Sequence, residues 1–179
     1  MKSKLIAGSF GIFLTLSLPQ LVQADRDHDR DDDNRLEARL TGPSEVPAVS
    51  TGAKGKFSMK IANDDSQFTY ELTFSGIEGT VTQAHIHFGQ ANVAGGIMIW
   101  LCQSATNQPA SGPSVSVCPT PGGTVTGTVT AANVIGPSGQ GVSAGEFAEA
   151  LAAIRRGLAY ANVHSTKIPG GEIRGQIHD

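Results

Sequence analysis

The chain has 179 residues, 39% of them hydrophobic and 16% charged, with 13 Lys+Arg against 16 Asp+Glu and a net charge of −3. That length suits one domain with a sizeable core. The acidic balance argues against nucleic acid as a partner, since a nucleic-acid-binding domain carries a basic patch or stripe.

The first element is a leader. Lys2 and Lys4 precede an uncharged apolar run from Leu5 to Leu18, and Pro19 and the small-residue pattern Val22-Gln23-Ala24 follow, which is the make-up of a secretory signal peptide over residues 1–24. A membrane anchor needs about 18–20 apolar residues, and this run is shorter and broken by Gly8, Ser9, Gly11, Thr15 and Ser17. Cleavage after Ala24 removes two of the 13 basic residues and none of the 16 acidic ones, taking the charge from −3 to −5. The expected location is secreted or periplasmic, with no membrane span in the mature chain. Residues 25–35, which open with Asp25-Arg26-Asp27-His28-Asp29-Arg30-Asp31-Asp32-Asp33-Asn34, have almost nothing to bury against the cost of ordering and read as a disordered acidic tail. Their alternating aspartates do not make a calcium loop, because no starting frame gives both Gly at position six and Glu at position twelve.

From Leu36 onward the pattern has period two. It is clearest in Phe68-Thr69-Tyr70-Glu71-Leu72-Thr73-Phe74, where one face is apolar and the other polar. Further strands are expected at Leu36–Leu40, Gly55–Ile61, Val81–Phe88, Ile97–Leu101, Thr124–Val129, Leu158–His164 and Glu172–Ile177. Turn residues such as Asn63-Asp64-Asp65-Ser66 and Gly136-Pro137-Ser138-Gly139 separate them. Many short strands so punctuated predict an all-β fold, an antiparallel Greek-key sandwich or flattened barrel. Trp100, inside Ile97-Met98-Ile99-Trp100-Leu101, is expected in the core. Cys102 and Cys118 are the only cysteines. In an oxidising compartment they should pair across a Pro- and Gly-containing loop, contributing ~3 kcal/mol on the loop-entropy model. One segment has helical spacing: Phe147, Leu151, Ile154 and Leu158 follow the capping-box pattern Ser143-Ala144-Gly145-Glu146, and Gly157 can stop the helix. Arg155-Arg156 at its end suits the helix dipole.

The chemistry-bearing residues are histidines. His85 and His87 are two apart in a predicted strand, so they share a face with Cα atoms roughly 6.6 Å apart. Two imidazoles at that separation can converge on one ion, and His164 would complete an imidazole-only set suited to copper or zinc. Spacing alone equally allows two ordinary strand residues. Glu172 and Arg174 share a face by the same rule, following Gly170-Gly171. They read either as support for a histidine or an anion site, or as a surface ion pair. His178 is one residue from the end and expected to be frayed. No Ser-His-Asp order, P-loop or dinucleotide turn stands in a strand-to-helix setting.

Several ordered segments carry a family resemblance: Glu45-Val46-Pro47-Ala48, Ala84-His85-Ile86-His87, Tyr160-Ala161-Asn162-Val163-His164-Ser165 and Pro169-Gly170-Gly171-Glu172-Ile173-Arg174-Gly175-Gln176-Ile177. Across residues 36–179 the chain resembles the CHRD domain, a module named from chordin and also found in secreted bacterial proteins. More distantly, His85-Ile86-His87-Phe88-Gly89 and His164 are similar to copper segments of copper–zinc superoxide dismutase, which implies a Greek-key barrel with His85, His87 and His164 as copper ligands. The segment from Phe88 to Thr124 contains no His, Asp or Glu, so the bridging histidine and zinc ligands of that enzyme have no counterpart and no zinc subsite is expected. Arg174 does not match its superoxide-steering residue by motif.

The resulting expectation is an exported CHRD-domain protein that holds or delivers a single copper ion through three histidines, with affinity weakening as pH falls through about 6.5. It is more a binder than an enzyme. A zinc-free, dismutase-like copper enzyme and a metal-free module that binds an extracellular or periplasmic protein stand as alternatives.

Overall fold

The computed structural model describes residues 34–179. The expected leader and residues 25–33 of the expected tail lie outside the described residues. Asn34 is buried, and the first strand opens at Arg35, one residue ahead of the expected Leu36.

Among the described residues eight strands form: β1 (Arg35–Thr41), β2 (Lys54–Ile61), β3 (Phe68–Ser75), β4 (Val81–Phe88), β5 (Gly96–Cys102), β6 (Gly123–Val129), β7 (Ala159–Ser165) and β8 (Ile173–Gln176). They make one sheet in the order β5-β4-β7-β8-β1-β2-β3-β6, antiparallel at every pairing. This is the all-β, nearly closed barrel that the period-two pattern predicts. Strand β3 alternates strictly between buried and exposed residues, and β1 alternates in the same way up to a half-buried Thr41. Their inward side chains, Leu36, Ala38, Leu40, Phe68, Tyr70, Leu72 and Phe74, meet Phe57, Met59 and Ile61 of β2 in a single core. At roughly 1.5–3 kcal/mol for each large apolar side chain removed from water, this burial is the main force closing the sheet.

The two ends of the sheet order approach each other, β5 at one end meeting β6 and its neighbour β3 at the other. Tyr70 on β3 donates its hydroxyl proton to the Leu101 carbonyl on β5 at 2.7 Å. Burial pushes the Tyr70 phenol up to about 12, so it remains a donor. Cys102, the last residue of β5, is disulfide-bonded to Cys118, as expected, and backbone bonds Gln103 N–H to Ser116 O and Cys118 N–H to Gln103 O flank the bridge. The C-terminus is tied down rather than frayed: His178 exchanges both backbone hydrogen bonds with Glu37, at 2.7 and 3.0 Å. Its exposed ring donates only to the neighbouring Asp179 carbonyl.

Among the described residues one α-helix forms, α1 (Phe147–Arg155), and it buries Phe147, Ala150, Leu151, Ala153 and Ile154. The expected capping box is half formed. Glu146 accepts from the Ser143 N–H at 2.6 Å, but helical geometry begins only at Phe147, because Gly145 takes a left-handed φ of 85°. At the other end Gly157 is left-handed at φ 67°. Its N–H reaches Ile154 O, and the Leu158 N–H reaches Ala153 O, each at 3.0 Å, which is a Schellman stop. Arg155 makes a bidentate pair with Asp65 in the β2–β3 turn, at 2.7 and 2.8 Å, so it anchors the helix to the barrel in addition to facing the dipole. Among the described residues no helix is long and apolar enough to cross a membrane.

Candidate metal centre

Strands β4 and β7 depart from the half-buried pattern. Every residue of β7 is buried, as is the run Ala84–His87 of β4. On one side of these strands Ala84, Ile86, Ala161 and Val163 join the core. The alternate residues, Gln83, His85 and His87 on β4 and Tyr160, Asn162 and His164 on β7, face one another by register: Gln83 opposite His164, His85 opposite Asn162 and His87 opposite Tyr160. A polar face is thereby buried, which proteins tolerate only where the groups are partnered or functional.

The three histidines meet. One ligand nitrogen from each of His85, His87 and His164 lies within 4.8 Å of the others, and all three rings are buried. The His85 Nδ1 and His164 Nε2 atoms are 3.2 Å apart. The ring centroids of His85 lie 5.3 Å from His87 and 5.0 Å from His164.

Two backbone carbonyls fix which nitrogens are bare. His87 Nδ1 is 2.9 Å from Gly95 O, and His164 Nδ1 is 2.8 Å from Pro169 O. A carbonyl only accepts, so both Nδ1 atoms carry the proton and both Nε2 atoms keep a lone pair. His85 Nδ1 then donates to the bare His164 Nε2. The Nε2 atoms of His85 and His87 are buried with no hydrogen-bond partner. His87 Nε2 is thus an orphaned, deprotonated imidazole nitrogen beside the His85 Nδ1–His164 Nε2 pair.

Electrostatics keeps the rings neutral. Desolvation, reinforced by His164 and His87, pushes His85 down to about 2. Desolvation also brings His87 to about 4, against the opposing Gly95 hydrogen bond, and lowers His164. The form that binds a metal is therefore the form present in the folded protein. Protons compete for the rings well below the window near 6.5 expected from an unperturbed histidine.

The surroundings are built from residues that motif spacing did not single out. Tyr160 stacks on His87, with centroids 4.8 Å apart and planes 3° from parallel, and its hydroxyl accepts from the Gly95 N–H at 3.1 Å. Period two counted back from His164 points to both Asn162 and Tyr160. Asn162 presents its amide oxygen Oδ1 to His164 Nε2 at 3.1 Å, an acceptor beside a bare nitrogen. Trp100 is buried as expected, but it stands edge-on to His85 at 4.3 Å, because the β4–β5 register sets the two opposite each other. Glu45 is buried with Oε1 unpartnered, and desolvation drives it up to about 7 despite Arg174 and Asn162 nearby. Gly171, at φ 122°, leaves it room: a Cβ there would lie 2.7 Å from Glu45 Oε1 and 2.9 Å from Asn162 Nδ2.

Glu172 and Arg174 are both buried, not an exposed ion pair, and they separate. Glu172 precedes β8 and accepts from Thr51 Oγ1, the Glu78 N–H and Ser165 Oγ at 2.9, 2.9 and 2.6 Å. It pins loops and shares no hydrogen bond with a histidine. Arg174 places its guanidinium 3.3 Å over the Tyr160 ring and donates to the Val93 and Gln90 carbonyls, supporting the loop that brings Gly95 to His87.

The CHRD domain family matches the chain over residues 36–177. No curated protein and no solved structure matches it.

Proposed function

The chain belongs to the CHRD domain family, and from that premise we propose that it is an exported protein, secreted or periplasmic, that holds a single copper ion on His85, His87 and His164. The observation that carries the reading is the 3.2 Å separation of His85 Nδ1 and His164 Nε2. Two nitrogens bound at ~2.0–2.1 Å to one ion, at angles between a right angle and tetrahedral, stand roughly 2.8–3.4 Å apart. An ion entering the site replaces the His85–His164 hydrogen bond as the His85 proton shifts from Nδ1 to the unpartnered Nε2 of the same ring, and the bare His87 Nε2 closes the set. Imidazole-only ligation suits copper, which tops the affinity order among first-row divalent ions. The disulfide agrees with an oxidising compartment. Burial of all three rings favours retaining an ion over presenting it to a diffusing substrate, so holding or delivery is preferred to dismutase-like turnover.

The test is copper titration against a competing chelator. The wild-type protein takes up one equivalent, and His85→Ala/His87→Ala weakens binding at least a hundredfold. Equal affinity in the two proteins would reject the proposal.

A further inference from the structure

Charge around the three rings says which ion they suit. Among the described residues no carboxylate or thiolate joins the histidine group, and both cysteines are in the disulfide. A metal held there keeps its full charge, because neutral imidazoles offset none of it. Behind the set stands a cation. The Arg174 guanidinium is buried, at 2% exposure, and its hydrogen bonds go to the Val93 and Gln90 carbonyls and to Gln176, all uncharged. It lies on Tyr160, and Tyr160 lies on His87, so its field reaches the ligands through one aromatic ring rather than through water. The carboxyl that acts on Arg174 is Glu45, whose own burial holds it partly protonated near neutrality. Glu172 directs its carboxylate to three neutral donors and shares no hydrogen bond with Arg174 or with a histidine.

In such a setting the cost of desolvating an ion grows with the square of its charge, and repulsion from Arg174 grows in proportion to it. A doubly charged ion is penalised on both counts. Three nitrogen donors are also a complete set for a singly charged copper ion, whereas cupric copper favours a tetragonal arrangement with more donors. Building on the copper-holding reading, we propose that the site selects a singly charged ion, cuprous over cupric copper and over zinc, and that Arg174 sets this preference as a positioning and charge-tuning residue.

The experiment measures chelator-competed affinities for Cu(I) under anaerobic conditions, for Ag(I) as a redox-inert singly charged probe, and for Cu(II) and Zn(II). The proteins are wild type, Arg174→Gln, Arg174→Lys, Glu45→Gln and His85→Ala/His87→Ala. Wild type binds Cu(I) and Ag(I) more tightly than either divalent ion. Arg174→Gln narrows the Cu(I)-over-Cu(II) ratio about tenfold, equivalent to ~59 mV in reduction potential, while Arg174→Lys keeps it. Glu45→Gln, measured at pH 8, moves the ratio the opposite way and serves as the test should Arg174→Gln fold poorly. Divalent ions binding wild type as tightly as Cu(I), or Arg174→Gln weakening all four ions equally, would overturn the selection while leaving copper holding intact. If no ion binds in a way the double histidine variant abolishes, the copper-holding reading itself fails.

Discussion

His87 is held from two directions. Its proton is held by Gly95 O, its face by Tyr160 and its other nitrogen is left bare. The same burial makes the apo-site a pH-sensitive weak point. The folded values of His85 and His87, about 2 and about 4, lie below the ordinary 6.5, so between these limits the unfolded chain binds more protons than the folded one. Stability is then flat above pH 6.5 and falls as pH drops below it, by about 1.4 kcal/mol per unit for each fully titrating histidine. Glu45 acts in the opposite sense. Its folded value of about 7 exceeds 4.5, so it offsets roughly one histidine in that window. Urea midpoints of chelator-treated protein from pH 4 to 8 should show the decline, and His85→Ala/His87→Ala should lose most of it; a flat profile in wild type would contradict these assignments. At this scale the sequence was partly legible. His85 and His87 follow from period two, and Tyr160 and Asn162 could have been counted back from His164. Glu45 and Trp100 reach the site through a loop and an inter-strand register that strand periodicity does not reveal; Glu45 stands out in sequence only as part of the family segment Glu45-Val46-Pro47-Ala48.

Among the elements, the strands were the most legible, because alternation reports a half-buried face directly. Strands β4 and β7 are the instructive exception: they are buried on both sides, and the second buried side is the histidine face. The pairing order was not legible, since β7 pairs on one side with β4, remote in sequence, and β8 pairs in turn with β1 at the other end of the domain. The contact of β3 with β5 is likewise invisible in sequence and rests on a few interactions. Tyr70→Phe leaves the Leu101 carbonyl without its 2.7 Å donor and should cost about 1–2 kcal/mol. Chemical denaturation measures this, and hydrogen exchange should show the loosening concentrated in β5. Because β5 also carries Trp100, tryptophan emission should report the change.

For the molecule as a whole, the barrel joins two remote segments, Ala84–Phe88 and Tyr160–Ser165, into one buried polar layer, and the Cys102–Cys118 bridge closes the excursion that follows β5. With a sequence separation of 16, the bridge should contribute ~3 kcal/mol. Cys102→Ala/Cys118→Ala should show that loss in denaturant while retaining the histidine cluster, because the bridge lies at the far end of β5 from Gly96 and the loop that supports His87.

The proposed function requires three imidazoles from β4 and β7 to share one ion. In a copper-loaded crystal measured at the copper absorption edge, a single anomalous peak should be bonded to one nitrogen each of His85, His87 and His164. A peak elsewhere, or one contacting only two of these rings, would contradict it.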